Sequence, residues 1–307
     1  MAGEKNRSDV QILLRLGERE IRIGGAAIDT PYKLLAGGME GFEASESVVE
    51  TMEHALRDGS SVMSRRLSGR DLVITFEVAD YADTERYKAE LLSFFDPSAD
   101  GVLTVLRTSP AGVVTERRIG CVLCGRVSMV QETLFSYLRV RVPLFCPDPY
   151  FVSGVRRVSF SVRAEPHLTF PLTVTKESGL TVGRWVPAET LVIENNGDAP
   201  TGFVFTLEGR DAAPGDPCIL YHPYLRREED GAYVGLLLGM TSGDRAELST
   251  VPGDKYVRFN GERCMRFARE SAFFSLLRGK NTLTLGARSI YGLPVASVSF
   301  YERYFGA

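Results

Sequence analysis

The chain has 307 residues, and Lys+Arg 36 against Asp+Glu 39 give it a formal net charge of −3 at pH 7. Its 44% hydrophobic and 24% charged residues are typical of globular proteins and exclude an intrinsically disordered chain. The balanced charge argues against a protein that binds nucleic acid by neutralising phosphates, since such proteins are normally basic.

The length suggests two domains, each large enough to bury its own core. No apolar run approaches the roughly 18 residues that a transmembrane helix needs, and the polar start Met1–Asp9 is unlike a signal peptide. We therefore expect a soluble protein, made in the cytoplasm, with no membrane span. Its five scattered cysteines predict buried thiols rather than a disulfide framework.

The segment 47–56 is the first element with a readable pattern, and that pattern fits two structures. Its apolar residues recur at the spacing of a helical face. Gly37-Gly38 before it and Asp58-Gly59 after it are instead typical of turns, and Asp-Gly is a strong hairpin signal. We favour extended structure and keep the helix as the alternative.

A half-buried strand and a helix follow. In residues 71–79, apolar and polar residues alternate, which puts the apolar ones on one face of a strand: Leu72, Ile74, Phe76 and Val78. Residues 84–95 form the one convincing helix, whose apolar stripe consists of Tyr87, Leu91, Phe94 and Phe95. Asp83 or Thr84 can cap its start, and Pro97 prevents its continuation.

The remaining alternating runs predict strands on both sides of a domain boundary. Strands are expected near 102–106, 119–127 and 137–144, with Pro143 at a strand end or edge. Pro147-Asp148-Pro149 interrupts the pattern, which divides the chain into domains of residues 1–150 and 151–307. The second domain shows only strand-like runs. The sequence therefore predicts a mainly β fold (α+β): a β domain with one packed helix, followed by a β-sandwich.

The search for reactive chemistry identifies no active site. His54, His167 and His222 are isolated, and no nucleophile motif, phosphate loop or dinucleotide fingerprint is present. Cys121 and Cys124 form a CxxC, but in a strand residues three apart face opposite sides and cannot bind one ion together. We expect no enzyme, no cofactor and no metal.

Aromatic residues of the second domain can form a stacking platform for a sugar, as in β-sandwich binding modules: Trp185, Tyr221, Tyr224 and Tyr233. Trp185, Tyr221 and Tyr224 are the candidates for weak ligand stacking. Core packing or turn anchoring is the favoured interpretation.

The order of features in the first domain resembles the distal tail protein family of long-tailed, non-contractile bacteriophages, the siphoviruses. Arg70 stands at the start of a strand, which is followed by the helix, a strand, a hairpin and the CPDPY motif, Cys146 to Tyr150. The matching stretches are Asp58-Gly59, 70–76, 86–97, 103–106, 118–127 and 140–151, with looser matches at 191–197, 200–207, 260–261 and 277–283. By this resemblance the structural motif residues are Arg70, Tyr87, Leu91, Phe95, Cys146, Asp148, Pro149 and Tyr150.

The resemblance implies a structural protein of the virion tail tip, encoded by a phage or prophage and assembled in the host cytoplasm. The first domain, with a split-barrel-like fold, would form a homohexameric ring, single or stacked, that joins the tail tube to the baseplate hub or tail fibre. The second, a galectin-like or carbohydrate-module-like β-sandwich, would hold receptor-binding proteins for host adhesion. DNA would only pass through the channel. Segment 45–56 is where a contact between subunits is expected.

Three alternatives stay open. Another tail component, such as a tube subunit or baseplate adaptor, is the nearest alternative, although a single-domain tube protein fits the two-part organisation poorly. A two-domain carbohydrate-binding protein would use the stacking candidates. An enzyme is the third option.

Overall fold

A computed structural model gives the fold. It describes residues 9–25, 29–80, 82–133, 136–161, 164–166, 183–185, 189–210, 218–291 and 294–307. The chain divides into two compact units: unit 1 is Met1–Gly154 together with Arg303–Ala307, and unit 2 is Val155–Glu302. The assignment of the whole segment 151–307 to the second domain is therefore wrong for its last residues, which belong to unit 1.

Unit 1 consists of strands and one helix. Its elements up to residue 152 are β1 (Asp9–Leu16), β2 (Arg19–Gly24), β3 (Tyr32–Glu40), β4 (Ser47–Glu53), β5 (Ser60–Leu67), β6 (Arg70–Val78), α1 (Thr84–Phe94), β7 (Gly101–Thr108), β8 (Val114–Leu123), β9 (Ser128–Val130), β10 (Leu138–Cys146) and β11 (Phe151–Val152). In the part of the chain that the structure describes, α1 is the single α-helix. The predicted mainly β fold with one helix is confirmed.

Seven of these strands close into a barrel. Their order is β8–β7–β1–β2–β3–β6–β10, and β10 pairs back onto β8 through Leu144–Leu123 and Phe145–Val122. All the pairings are antiparallel except the short β2–β3 contact. Closure matters because it satisfies backbone groups that an open sheet would leave along its edges.

The barrel interior follows the predicted alternation. Every second residue of β6 and β10 is buried: Leu72, Ile74, Phe76, Val78, Leu138, Val140, Val142 and Leu144. Burying a side chain of this kind contributes about 1.5–3 kcal/mol. The inward face of these two strands thus supplies much of the core of unit 1.

Pro143 is not at a strand end, as the sequence suggested, but inside β10 opposite Val73 of β6. On its other side, β10 pairs with β9 through residues 139–141 and with β8 through residues 144–145. Pro143 lies in the interval between these two partners. A residue without an N–H is tolerated there because the ladder on that side is already interrupted.

The helix packs its predicted stripe against the core. Leu91, Phe94 and Phe95 are buried, and the ring of Tyr87 lies edge-on to that of Tyr32, with 6.0 Å between their centroids. The Tyr32 hydroxyl also donates a hydrogen bond of 3.0 Å to Glu90. The predicted helix 84–95 is confirmed, with Phe95 as the residue that follows its last turn.

Residues 47–67 form an arm made of β4 and β5. The two strands pair only with each other, and the turn between them contains Gly59 in the left-handed region at φ 95°. Nearly all side chains of the arm are exposed or half-buried. The extended interpretation of segment 47–56 is therefore right, and the helical alternative is wrong.

Unit 2 is a β-sandwich, as predicted. Its strands are β12 (Arg156–Ser161), β13 (Ala164–Pro166), β14 (Gly183–Trp185), β15 (Glu189–Asn195), β16 (Phe203–Glu208), β17 (Ile219–Arg227), β18 (Tyr233–Gly235), β19 (Gly239–Thr241), β20 (Arg245–Ser249), β21 (Tyr256–Phe259), β22 (Glu262–Arg263), β23 (Gly279–Tyr291) and β24 (Val295–Phe300). One sheet has the order β12–β24–β16–β20–β21–β22; the other has β15–β23–β17–β18, with β19 beside β17. One apolar core draws its side chains from both sheets.

The chain then returns to unit 1 in β25 (Arg303–Tyr304), which pairs with β11. Unit 2 is thus an insertion between β11 and β25. The one α-helix among the described residues lacks the length and hydropathy required to cross a bilayer.

Candidate functional site

Arg70 is a buried cation at the start of β6, with only 3% of its surface exposed. Its Nε and Nη2 donate to Ser45 Oγ at 3.0 and 2.6 Å, its Nη1 donates to the Gly41 carbonyl at 3.3 Å, and its Nη2 also donates to the Phe305 carbonyl. The guanidinium lies 4.8 Å from the ring centroid of Phe151. Burial lowers the pKa of Arg70 because it disfavours the charged form. The contacts therefore compensate a desolvated charge while joining three segments of unit 1.

The CPDPY motif, residues 146–150, begins directly opposite this arginine. Cys146 pairs with Arg70 in the β10–β6 register, and burial raises the pKa of its thiol to about 12. The Pro149 carbonyl accepts a hydrogen bond of 3.1 Å from Ser45 Oγ, the same hydroxyl that accepts from Arg70. Two of the eight motif residues, Arg70 and Pro149, thus share Ser45 as a hydrogen-bond partner, and sequence reasoning did not single out Ser45.

Asp148 and Tyr150 bind the returning end of the chain. Asp148 Oδ1 and Oδ2 lie 2.9 and 3.0 Å from Arg303 Nη2, and Oδ1 accepts from the Tyr150 backbone N–H at 3.2 Å. The Arg303 guanidinium lies 3.8 Å from the centroid of the Tyr150 ring, which also contacts the ring of Phe305. Asp148 and Tyr150 of the CPDPY motif therefore both contact the segment 303–307.

The last residues of that segment are fitted closely to unit 1. The Arg117 guanidinium lies 3.5 Å from the ring centroid of Tyr304, and the Ala307 N–H donates to the Phe42 carbonyl at 3.1 Å. A Cβ on Gly306 would lie 2.4 Å from the Glu43 carbonyl oxygen, so only glycine fits there without a shift. We call this arrangement the clasp: residues 41–45, Arg70, residues 146–151 and residues 303–307.

The two cysteines of the CxxC have different surroundings. Cys121 is buried in β8, whereas Cys124 follows the end of that strand and is exposed. Burial raises the pKa of the Cys121 thiol to about 11. A thiol that is both buried and protonated at neutral pH is a poor nucleophile and metal ligand.

We expect iodoacetamide at pH 8 to alkylate Cys124 at least about tenfold faster than Cys121 or Cys146 in the folded protein. The reason is that Cys124 is exposed, while the other two thiols are buried and hold their protons. Peptide mass spectrometry over a time course measures the rates, with the protein unfolded in urea as the control in which all three react. Equal rates for Cys121 and Cys124 in the folded protein would contradict the placement.

The histidines and acidic residues form no metal centre in the described ranges: no group of three or more His, Cys, Asp or Glu side chains there could hold an ion. His54 Nε2 instead lies 2.7 Å from Arg57 Nη2 and 2.8 Å from Ser61 Oγ, in the turn of the arm. His167 lies outside the described residues.

The stacking candidates occupy two separate sheets. Tyr221 and Tyr224 lie on β17, where the Tyr221 ring stacks on that of His222 at 3.9 Å between centroids and Tyr224 contacts Tyr233 at 5.4 Å. Trp185 ends β14, which pairs with β13, and its side chain lies outside what the structure describes. Of the four aromatic residues named from the sequence, Tyr224 and Tyr233 are thus in contact, while Tyr221 stacks on His222 instead.

The arm presents an exposed surface that mixes apolar and charged residues. Val49, Met52, Leu56, Val62 and Met63 are all exposed large hydrophobic residues. Its charges are separated by strand, since β4 carries Glu50 and Glu53 and β5 carries Arg65 and Arg66. A two-stranded hairpin is marginally stable alone in water, so this surface is suited to covering by another protein.

No protein-family profile matches the chain, and no curated protein matches its sequence. Among solved structures, the chain is similar to the crystal structure of phage SPP1 Dit, described as a paradigm of the hub adsorption apparatus in phages that infect Gram-positive bacteria. The match has 12% identity and a TM-score of 0.62 and covers 95% of this chain and 98% of that chain. The phage P2 baseplate in its activated conformation with calcium also matches, at 8% identity and a TM-score of 0.41, covering 96% of this chain and 98% of that chain. The likeness to SPP1 Dit includes both units, and this protein therefore has the fold of a phage distal tail protein, as the resemblance in its sequence predicted.

Proposed function

We propose that the protein is a distal tail protein, a structural component of the virion tail tip of a siphovirus or a prophage. The observation that carries the proposal is the fold likeness to SPP1 Dit over nearly the full length of both chains. In this role, unit 1 forms a homohexameric ring between the tail tube and the baseplate hub or tail fibre. Unit 2 holds receptor-binding proteins at the periphery.

The reactive side chains support a structural role over an enzymatic one. Nucleophilic catalysis needs a group whose pKa is lowered or a base beside it. Cys121 and Cys146 instead have raised pKa values because they are buried. Asp230, by contrast, has its pKa lowered to about 2, chiefly by a hydrogen bond from Arg227, so it stays ionised and cannot serve as a general acid.

The arm supports ring formation. A ring requires a heterologous contact, in which one patch of each subunit meets a different patch on the next. The strands of the barrel are paired on both sides, whereas β4 and β5 of the arm pair only with each other and keep free edges. Glu50 of β4 already pairs with Arg66 of β5 within the arm, at 3.9 Å, so the surface that the arm offers to the next copy consists of its exposed hydrophobic residues. In the proposed ring this surface is covered by a second copy of the chain.

A slightly acidic ring also suits the channel that the proposal implies. DNA that passes through must not adhere, and the net charge of −3 per chain avoids the phosphate neutralisation that drives non-specific binding.

We expect the purified full-length protein to form a particle of six times the 33.9 kDa chain mass, or twice that if two rings stack. Light scattering after size exclusion gives the mass, and negative-stain electron microscopy gives the symmetry of the particle. A protein that stays monomeric at about 100 μM contradicts the proposal. Open-ended tubes instead of closed rings would identify a tube subunit, the nearest alternative.

A further inference from the structure

Strand β17 reverses its inside–outside alternation at one residue. Leu220 and Leu225 are both in the core of unit 2, although residues five apart on a regular strand face opposite sides. The reversal is at His222, whose φ of 50° lies in the left-handed region that few residues other than glycine adopt. As a result, Tyr221 and Tyr224 both lie on the solvent side. Strained backbone of this kind is common at functional sites, where it aims side chains.

Glycines make room for tyrosine rings to lie along this face. Tyr224 pairs with Gly286 of β23 on one side and with Gly235 of β18 on the other. A Cβ on Gly286 would lie 2.3 Å from the Tyr224 ring, and one on Gly235 would lie 2.2 Å from the Tyr233 hydroxyl. Each ring therefore occupies the space of a missing side chain.

The result is a tyrosine platform, defined as Tyr224 and Tyr233, while Tyr221, three residues before Tyr224 on the same strand, stacks on His222. The Tyr224 and Tyr233 centroids are 5.4 Å apart with 40° between the ring planes, and both residues are half-buried. Beneath them, Leu225 and Val234 are fully packed into the core. The rings are thus supported from below and retain exposed surface above.

Hydrogen-bonding groups lie in the next row of the same sheet face. Arg226 pairs with Tyr233 on one side and with Thr284 on the other, and Thr284 pairs with Thr190. The two threonine hydroxyls are 3.4 Å apart, and Arg226 and Thr190 are exposed. Arg226 also forms an exposed ion pair of 3.3 Å with Glu228. The face therefore combines aromatic rings with charged and hydroxyl groups that a ligand can reach.

We propose that the tyrosine platform is a binding site for a neutral oligosaccharide made of pyranose rings. The negative face of an aromatic ring attracts C–H groups, and a pyranose presents several C–H groups on one face. Tyr224 and Tyr233 stack against the sugar rings, while Arg226 and Thr284 bind sugar hydroxyls. The proposal does not depend on ring assembly, because the platform lies entirely within unit 2.

A structural role for the same rings makes the opposite prediction. Aromatic rings that cover glycines in a neighbouring strand stabilise sheets without any ligand. In that case the rings matter for stability alone, and no sugar binds at this face.

The test uses the full-length protein and four probes: maltotetraose, cellotetraose, chitotetraose and a β-linked galactotetraose. Saturation-transfer NMR at millimolar sugar is expected to show transfer from protein to pyranose ring protons for at least one of them. Tyr224→Ala is expected to weaken that binding about tenfold or more, whereas Tyr224→Phe retains it. Tyr301→Ala is the matched control, because Tyr301 is an exposed tyrosine of unit 2 outside the platform.

A second variant keeps the test decisive if Tyr224→Ala fails to fold. Gly286→Ala places a methyl group against the Tyr224 ring and must displace it, with no change to the apolar core. It too is expected to weaken binding about tenfold. The proposal is overturned if none of the four sugars shows transfer to the wild type, or if the folded variants bind as well as Tyr301→Ala. Light scattering on the same samples reports ring assembly separately.

Discussion

Replacing Arg70 with alanine is expected to lower the free energy of unfolding of unit 1 by about 3 kcal/mol. The change removes a buried guanidinium that donates to Ser45 Oγ and to the Gly41 and Phe305 carbonyls. Hydrogen bonds from a charged donor contribute about 1.5–3 kcal/mol each. Relief of the desolvation of the cation offsets part of their sum, while the empty space left behind adds to the loss.

Equilibrium unfolding in urea measures this effect with two probes. Far-UV circular dichroism follows the chain as a whole, and hydrogen exchange of peptides, read by mass spectrometry at each urea concentration, follows the two units separately. We expect Arg70→Ala to move the exchange transition of unit 1 peptides to lower urea and to leave that of unit 2 peptides in place. Arg66→Ala is the control, because Arg66 is exposed in the arm and its ion pair with Glu50, at 3.9 Å, is worth less than about 0.5 kcal/mol. Equal shifts for the two variants would refute the role of Arg70.

Arg70→Lys distinguishes the charge from the geometry of the guanidinium. Lysine keeps a cation but has one nitrogen, so it cannot reach Ser45, Gly41 and Phe305 together. We expect most of the destabilisation to persist, by the same urea measurement. Wild-type stability would show that the positive charge alone is needed there.

Local patterns in the sequence were sufficient for the elements and for the faces they bury. The alternation in 71–79 predicts the buried residues of β6, and the stripe from Tyr87 to Phe95 predicts the contact face of α1, since both depend on periodicities of a few residues. The segment 47–56 was harder because its apolar spacing matches a helical face while its flanking residues are typical of turns. There the flanking Asp58-Gly59 turn favoured the correct structure.

Contacts between distant residues could not be derived in this way. Nothing in the local pattern of 303–307 indicates that Arg303 binds Asp148 or that the Phe305 carbonyl accepts from Arg70. The resemblance to distal tail proteins identified Arg70 and the CPDPY motif as structural but gave no contact partner for them. Barrel closure between β8 and β10 is equally non-local, since it adds only two residue pairs to strands that already have partners.

The tyrosine platform shows an intermediate case. The sequence indicated Tyr221 and Tyr224 as a pair, yet strict alternation would have placed them on opposite faces of β17. The left-handed conformation of His222 resolves this conflict. Histidine is enriched at positive φ among residues other than glycine, but that preference is too weak to identify this position from the sequence. The sequence also named Tyr233, but its contact with Tyr224 depends on the pairing of β18 with β17, which only the fold reveals.

Replacing both Val49 and Val62 with glutamate is expected to convert the ring into monomers. The two side chains lie on one face of the arm, because Val62 pairs with Thr51, two residues along β4 from Val49. They are exposed in the single chain and would be covered by the neighbouring copy. A charge buried at such a contact without a partner costs several kcal/mol, and every 1.4 kcal/mol weakens association tenfold. Because the ring has one such contact per subunit, the loss recurs around its circumference.

Light scattering at matched concentrations checks this expectation: the double variant should have the mass of the single 33.9 kDa chain instead of the mass of the wild-type assembly. Circular dichroism should stay unchanged, since the arm supplies no residue to the core of unit 1. Leu92→Glu is the matched control: Leu92 is an exposed leucine on α1, outside the arm, and its substitution should leave the assembly intact. If the double variant assembles as the wild type does, the arm is not the subunit contact, and the ring would have to form through the outer surface of the barrel.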